Sequence, residues 1–143
     1  MFLGEYQHSL DSKGRITVPS KFRDELGLRF IATRGLDNCI FLYTMEEWKS
    51  IEARVHALPF TRGDVRSFAR FFFSGAAELE IDKQGRTILP NNLRDYAGID
   101  KDVVIIGVGS RIEIWSLQRW ATYSETAALS YDSIAENLVD LGL

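Results

Sequence analysis

The chain has 143 residues, 45% hydrophobic and 26% charged, with a formal net charge of -3. That composition suits a soluble globular protein with one core, and it lacks the strongly basic balance that most simply marks a nucleic-acid binder. One cysteine excludes an internal disulfide, and with two histidines it leaves a poor metal inventory.

The N-terminus, MFLGEYQHSLD, has no basic n-region and no long apolar h-region, so it does not read as a signal peptide. A turn follows at Asp11–Gly14, because Asp can accept local backbone N–H groups and Gly permits positive φ. RITV then alternates polar and apolar residues, as a half-buried strand does. Pro19 suits the first position of a short helix, Phe22 and Leu26 share one face of it, and Gly27 suits its C-terminal stop. RFIATR and NCIFLY read as strands, and Cys39 in the second of them reads as a buried structural thiol.

A helical insert comes next. Thr44 is its expected N-cap, with Glu46 and Glu47 in the first turn and an apolar stripe of Trp48, Ile51, Val55 and Leu58. Pro59 ends it, and a second helix is expected near Asp64 with Val65, Phe68, Ala69 and Phe72 inward. Phe71, Phe72 and Phe73 cannot all face inward, so at least one is expected against the C-terminal helices or a neighbouring subunit. Arg62, Arg66 and Arg70 recur every four residues, a solvated face unless a neighbour supplies acids.

Asp82 to Ile99, DKQGRTILPNNLRDYAGI, then repeats Asp11 to Leu28, DSKGRITVPSKFRDELGL, at a distance of 71 residues. Asp11 meets Asp82, Gly14 meets Gly85, Arg15 meets Arg86, Pro19 meets Pro90, and Arg23 meets Arg94. The strands VVIIGV and IEIW and an amphipathic helix from about Ser116 complete the second copy. VVIIGV is far too short to cross a bilayer. A unit of this size buries little surface alone, so two copies sharing strands are expected to form one pseudo-twofold body. The expected divisions are 5–47 for the first repeat, 48–75 for the helical insert, 76–119 for the second repeat and 120–143 for a helical tail. From Tyr123 to Leu143 the chain has four acids and no Lys or Arg, and the remainder holds 17 basic against 16 acidic residues.

The opening MFLGEYQHSLDSKGRITVPSKFR, the stretches TRGLDNCIFLY and FARFFFSGAAELEIDKQGR, and the paired D-x-x-x-R motifs at Asp11/Arg15 and Asp82/Arg86 together resemble the MraZ family, relatives of the AbrB-like, swapped-hairpin regulators. The resemblance spans the whole chain. It implies an α+β, β-rich fold, a double-split β-barrel of two AbrB-like repeats with flanking amphipathic helices. It also implies a cytoplasmic, nucleoid-associated transcriptional regulator, usually a repressor. As a ring-like homo-oligomer, that regulator would bind direct DNA repeats upstream of the division and cell-wall gene cluster. The D-x-x-x-R segment would lie on the DNA-facing side.

The residues expected at DNA are Lys13, Arg15, Lys21, Arg23, Lys83 and Arg86, with Asp11, Gly14, Asp82 and Gly85 shaping the turns. Arginine can bridge two acceptors on guanine or clamp a phosphate, whereas lysine acts as a point charge. Repetition of a small basic patch around a ring offsets the missing net charge. The first copy carries Lys13 and Lys21 where the second has Gln84 and Asn92, so the first is expected to contribute more. Each Asp is a turn-former before it is a DNA contact, and a bond to its own motif's Arg is open to it. Arg23 and Arg94 have the alternative of pairing with neighbouring acids.

No cofactor and no membrane partner is expected. His8 and His56 have no nucleophile or carboxylate at a recognisable spacing. GVGSR from Gly107 lacks the third glycine of a dinucleotide loop and reads as a hairpin turn. The rival to a DNA regulator is a non-DNA interaction scaffold or antitoxin-like partner protein, and an enzyme is the weakest reading.

Overall fold

A computed structural model describes all of Met1–Leu143. The elements are β1 (Phe2–Ser9), β2 (Arg15–Thr17), α1 (Ser20–Leu26), β3 (Arg29–Arg34), β4 (Ile40–Thr44), α2 (Met45–His56) and α3 (Gly63–Ser74). Then come β5 (Ala77–Glu80), β6 (Arg86–Ile88), α4 (Asn91–Ala97), β7 (Asp102–Gly109), β8 (Ile112–Ser116) and α5 (Leu117–Asn137), with a last 3-10 turn at Val139–Leu141. The fold is α+β and sheet-rich.

Six strands form one antiparallel sheet in the order β1-β7-β8-β4-β3-β5, and β2 and β6 form a separate antiparallel ribbon. Mapping the second repeat on the first exchanges β1 with β5, β3 with β7 and β4 with β8, so the order is palindromic. Each repeat lends its first strand to the other: β1 pairs with β7 from Phe2↔Gly109 to Ser9↔Asp102, and β5 pairs with β3. The pairings β4–β8 and β2–β6 centre on Phe41↔Glu113 and Ile16↔Thr87. Both pairs join equivalent positions, so the pseudo-twofold axis passes through them. The hydrogen-bond ladder is open, with β1 and β5 as its edges.

Strand interleaving explains the core. A cluster of 19 buried residues draws on both repeats, among them Ile16, Val18, Phe22 and Leu26 from the first and Leu89, Leu93, Ala97 and Ile99 from the second. Each buried Leu, Ile or Phe contributes about 1.5–3 kcal/mol relative to exposure. The opposite sheet face buries Cys39, Phe41, Tyr43, Phe72, Val104, Ile106 and Trp115, with Trp48, Ile51, Phe73 and Trp120 packed over them. Strands covered on both sides read as continuous apolar runs, as CIFLY and VVIIGV do.

The helix ends follow local chemistry. Thr44 caps α2, its Oγ1 accepting the Glu47 N–H at 3.0 Å, and Ser116 caps α5 by accepting the Arg119 N–H. Pro19 and Pro90 precede the first helical residue, one place earlier than expected. Of the three phenylalanines, Phe72 is buried and Phe73 stacks with His56 and meets Trp48 edge-on. Phe71 packs on the Arg34 guanidinium and meets the Tyr96 ring, so within the chain its contacts come from β3 and α4 rather than the C-terminal helix, and it stays 54% exposed. Phe68, expected inward, is 40% exposed. Gly107 lies within β7, and the hairpin turn falls between Gly109 and Ile112.

Candidate nucleic-acid interface

The two D-x-x-x-R motifs fold identically. Asp11 Oδ1 accepts the backbone N–H groups of Lys13 and Arg15, both at 2.9 Å, and Oδ2 accepts Arg15 Nε at 2.6 Å. Asp82 Oδ1 accepts the N–H groups of Gln84 and Arg86 at 2.9 Å, and Oδ2 accepts Arg86 Nε at 2.9 Å. Gly14 and Gly85 donate to the Asp11 and Asp82 carbonyls at φ values of 75° and 78°, a region where a side chain is strained.

This bonding favours the charged carboxylates. The Arg15 backbone N–H, assisted by the Arg15 side chain and the Lys13 N–H, lowers the Asp11 pKa from 3.8 to about 2 against partial desolvation. The Arg86 backbone N–H acts in the same direction on Asp82.

The turns are locked to each other. Val18 N–H donates to Gly85 O at 2.9 Å, and Leu89 N–H donates to Gly14 O at 3.0 Å. Each helix arginine also crosses over: a Cβ on Gly85 would collide with the Arg23 guanidinium, and one on Gly14 would press on Arg94. Arg23 Nε donates to Val18 O at 2.8 Å. Arg23 is therefore half-buried framework first, and neither it nor Arg94 pairs with an acid.

The ribbon sorts its residues by face. Ile16 and Thr87 point inward and are buried, at 1% and 2% exposure. Directly opposed ribbon residues share a face, so Arg15 with Ile88 and Thr17 with Arg86 form the outer surface. Tethering each arginine through Nε leaves Nη1 and Nη2 without protein partners. Arg15 and Arg86 line one hollow of about 400 Å³, with Glu78 and Glu80 also in its lining and Glu80 held by Arg29 at 3.3 Å. Lys13, Lys21 and Lys83 are exposed.

The outer face also carries Thr17 and Ile88, which are not among the residues expected there from the sequence. Ile88 is 58% exposed. The inward alternation of Ile16 and Thr87 was the signal that their neighbours face out. Elsewhere, Cys39 is fully buried, and desolvation pushes its thiol well above the ordinary range, which makes it inert. No group of three or more His, Cys, Asp or Glu side chains is placed to hold a metal ion. No helix is long and apolar enough to cross a membrane.

Comparison with known proteins matches both halves, residues 1–71 and 72–142, to the family described as "MraZ protein, putative antitoxin-like". The chain is 69% identical to the transcriptional regulator MraZ of Syntrophomonas wolfei over 143 residues, all of both chains. It is 58% identical to the protein of that name from Acetivibrio thermocellus, again over all of both chains. The protein of that name from Desulforamulus reducens is 57% identical over 141 residues, 99% of each chain. With a duplicated motif, interleaved halves and relatives matched end to end, the chain belongs to the MraZ family of transcriptional regulators, and not to a family of enzymes.

Proposed function

We propose that the protein is a sequence-specific DNA-binding regulator, a repressor that grips direct repeats upstream of the division and cell-wall genes as a ring-like homo-oligomer. The observation that carries this reading is the pair of arginines on the outer face of the β2–β6 ribbon, each anchored at Nε with its fork free. A two-stranded ribbon fits the major groove of B-DNA, and a free guanidinium fork suits guanine O6 and N7. Ile88 and Thr17 beside them would meet thymine methyls. Lys13, Lys21 and Lys83 flank the ribbon as phosphate contacts, which position the protein without reading sequence.

The finer architecture follows the same reading. Two interleaved repeats, 5–47 and 76–119, make a double-split barrel with the ribbon on its DNA-facing side. The insert 48–75 and the tail 120–143 serve assembly. Its place would be the nucleoid in the cytoplasm.

A gel-shift on DNA directly upstream of the protein's own gene tests this. Arg15→Ala and Arg86→Ala should each weaken binding, Arg15→Ala more, because Lys13 and Lys21 accompany it. Affinity should fall steeply with salt, with the log–log slope reduced by about 1 for each phosphate-contacting cation removed. Equal losses would remove the ranking of the repeats. Binding indifferent to salt and to both substitutions would defeat the interface and favour a protein partner.

A further inference from the structure

The molecule leaves two large apolar surfaces uncovered, and they complement each other. The first is the distal part of α5. Its opening turns pack Trp120 and Tyr123 against Trp115. Farther along, Ala127, Tyr131, Ile134 and Leu138 continue at helical spacing, and Tyr131 is 71% and Ile134 46% exposed. Within Ala127–Leu138 the charged residues are Asp132 and Glu136, with Glu125 just before them and Asp140 just after, and no cation follows Tyr123.

The second surface is a groove of about 350 Å³ between α2, α3 and the sheet. Phe41 and Phe72 form its floor, and Val55, Leu58 and Phe68 its walls. Arg54 and Arg111 rim it. Their partners Glu47 and Glu113 lie deeper: Arg54 is 67% exposed against 29% for Glu47, and Arg111 32% against 9% for Glu113. An approaching segment meets the cations first.

We infer that the distal half of α5 of one copy docks in the Arg54/Arg111-rimmed groove of a second copy. Charge selects this arrangement. Pairing the distal half of α5 with itself would set Asp132 and Glu136 against their own copies with no cation between them, whereas the groove offers arginines around an apolar floor. If each copy uses its helix on one neighbour and its groove on another, the contact is heterologous and builds a ring where the rotation closes or an open filament where it does not; two copies that exchange helices with each other close as a dimer. The inference rests on the self-assembly part of the proposed function and is independent of DNA binding.

Crosslinking tests the contact directly. Full-length Phe68→Cys and Leu138→Cys variants, made separately and co-expressed with different tags, should join in a 68–138 disulfide under mild oxidation; buried Cys39 can remain. Charge reversal gives the second arm. Arg54→Glu and Glu136→Arg should each raise the dissociation constant of the assembly about tenfold, and the two together should restore it. Both sites are on the exposed surface, so circular dichroism should be unchanged. Crosslinks between two Leu138→Cys chains, or an assembly indifferent to both reversals, overturn this contact alone. A wild-type protein that stays monomeric at every concentration overturns self-assembly itself.

Discussion

Asp11 stands beside an arginine proposed to meet phosphate-rich DNA, where simple Coulomb repulsion makes a carboxylate unwelcome. Its three hydrogen bonds to Lys13 and Arg15 give the opposite expectation. Asp11→Ala should weaken operator binding by about three- to tenfold, because the guanidinium must then be ordered at the moment of contact. Fluorescence anisotropy measures this, and tighter binding would refute the tether. The same bonds set a pH window. The Asp11 pKa is depressed to about 2, and that of Asp82 is lowered too, so their stabilisation is complete above about pH 4 and is lost as pH falls toward 2. The stability difference between wild type and Asp11→Asn/Asp82→Asn, from urea midpoints, should be constant from pH 5 to 8 and vanish near pH 2. The turn was legible in the sequence because Asp, Gly and Arg act on neighbours within four residues. The role of Arg23 was not, because the Gly85 it covers lies in the other repeat.

Among elements, the exchanged strand β1 is the most sensitive. Gly107 in β7 has the β1 backbone at Phe2 and Leu3 where its Cβ would be, and backbone cannot move aside as a flexible side chain does. Gly107→Ala should therefore cost about 1–3 kcal/mol, read as a lowered urea midpoint, with the proposed DNA contacts of the ribbon unaltered in the folded fraction. A midpoint equal to wild type would show that β1 accommodates the methyl. Strands β3, β4, β7 and β8 were readable from their apolar runs. Their partners were not, because alternation records which face a residue takes and carries no record of which strand lies alongside. For the same reason Gly107 was read as part of a turn rather than as the point of closest strand approach.

At the scale of the molecule, the repeat announced two similar halves, but only the palindromic strand order shows that neither is complete. Residues 1–71 lack the strands that cover β1 and β3. Alone, this half can complete itself with a second copy, placing Ile16 on Ile16 and Phe41 on Phe41 across the axis. The half 72–143 would place Thr87 on Thr87 and Glu113 on Glu113; each copy keeps its own Arg111 and Trp115 on the carboxylate, but two buried carboxylates would then face each other across the axis. Size-exclusion chromatography with circular dichroism should find 1–71 folded only as a dimer and 72–143 unfolded. A folded monomer of either half would contradict the exchange. The mismatch of Phe41 with Glu113 reaches further than stability. A reader with interchangeable halves has no head or tail and suits an inverted pair of boxes. This chain cannot be turned end for end without becoming a different surface, so it has a polarity, and a row of such subunits lying on a duplex would all point the same way.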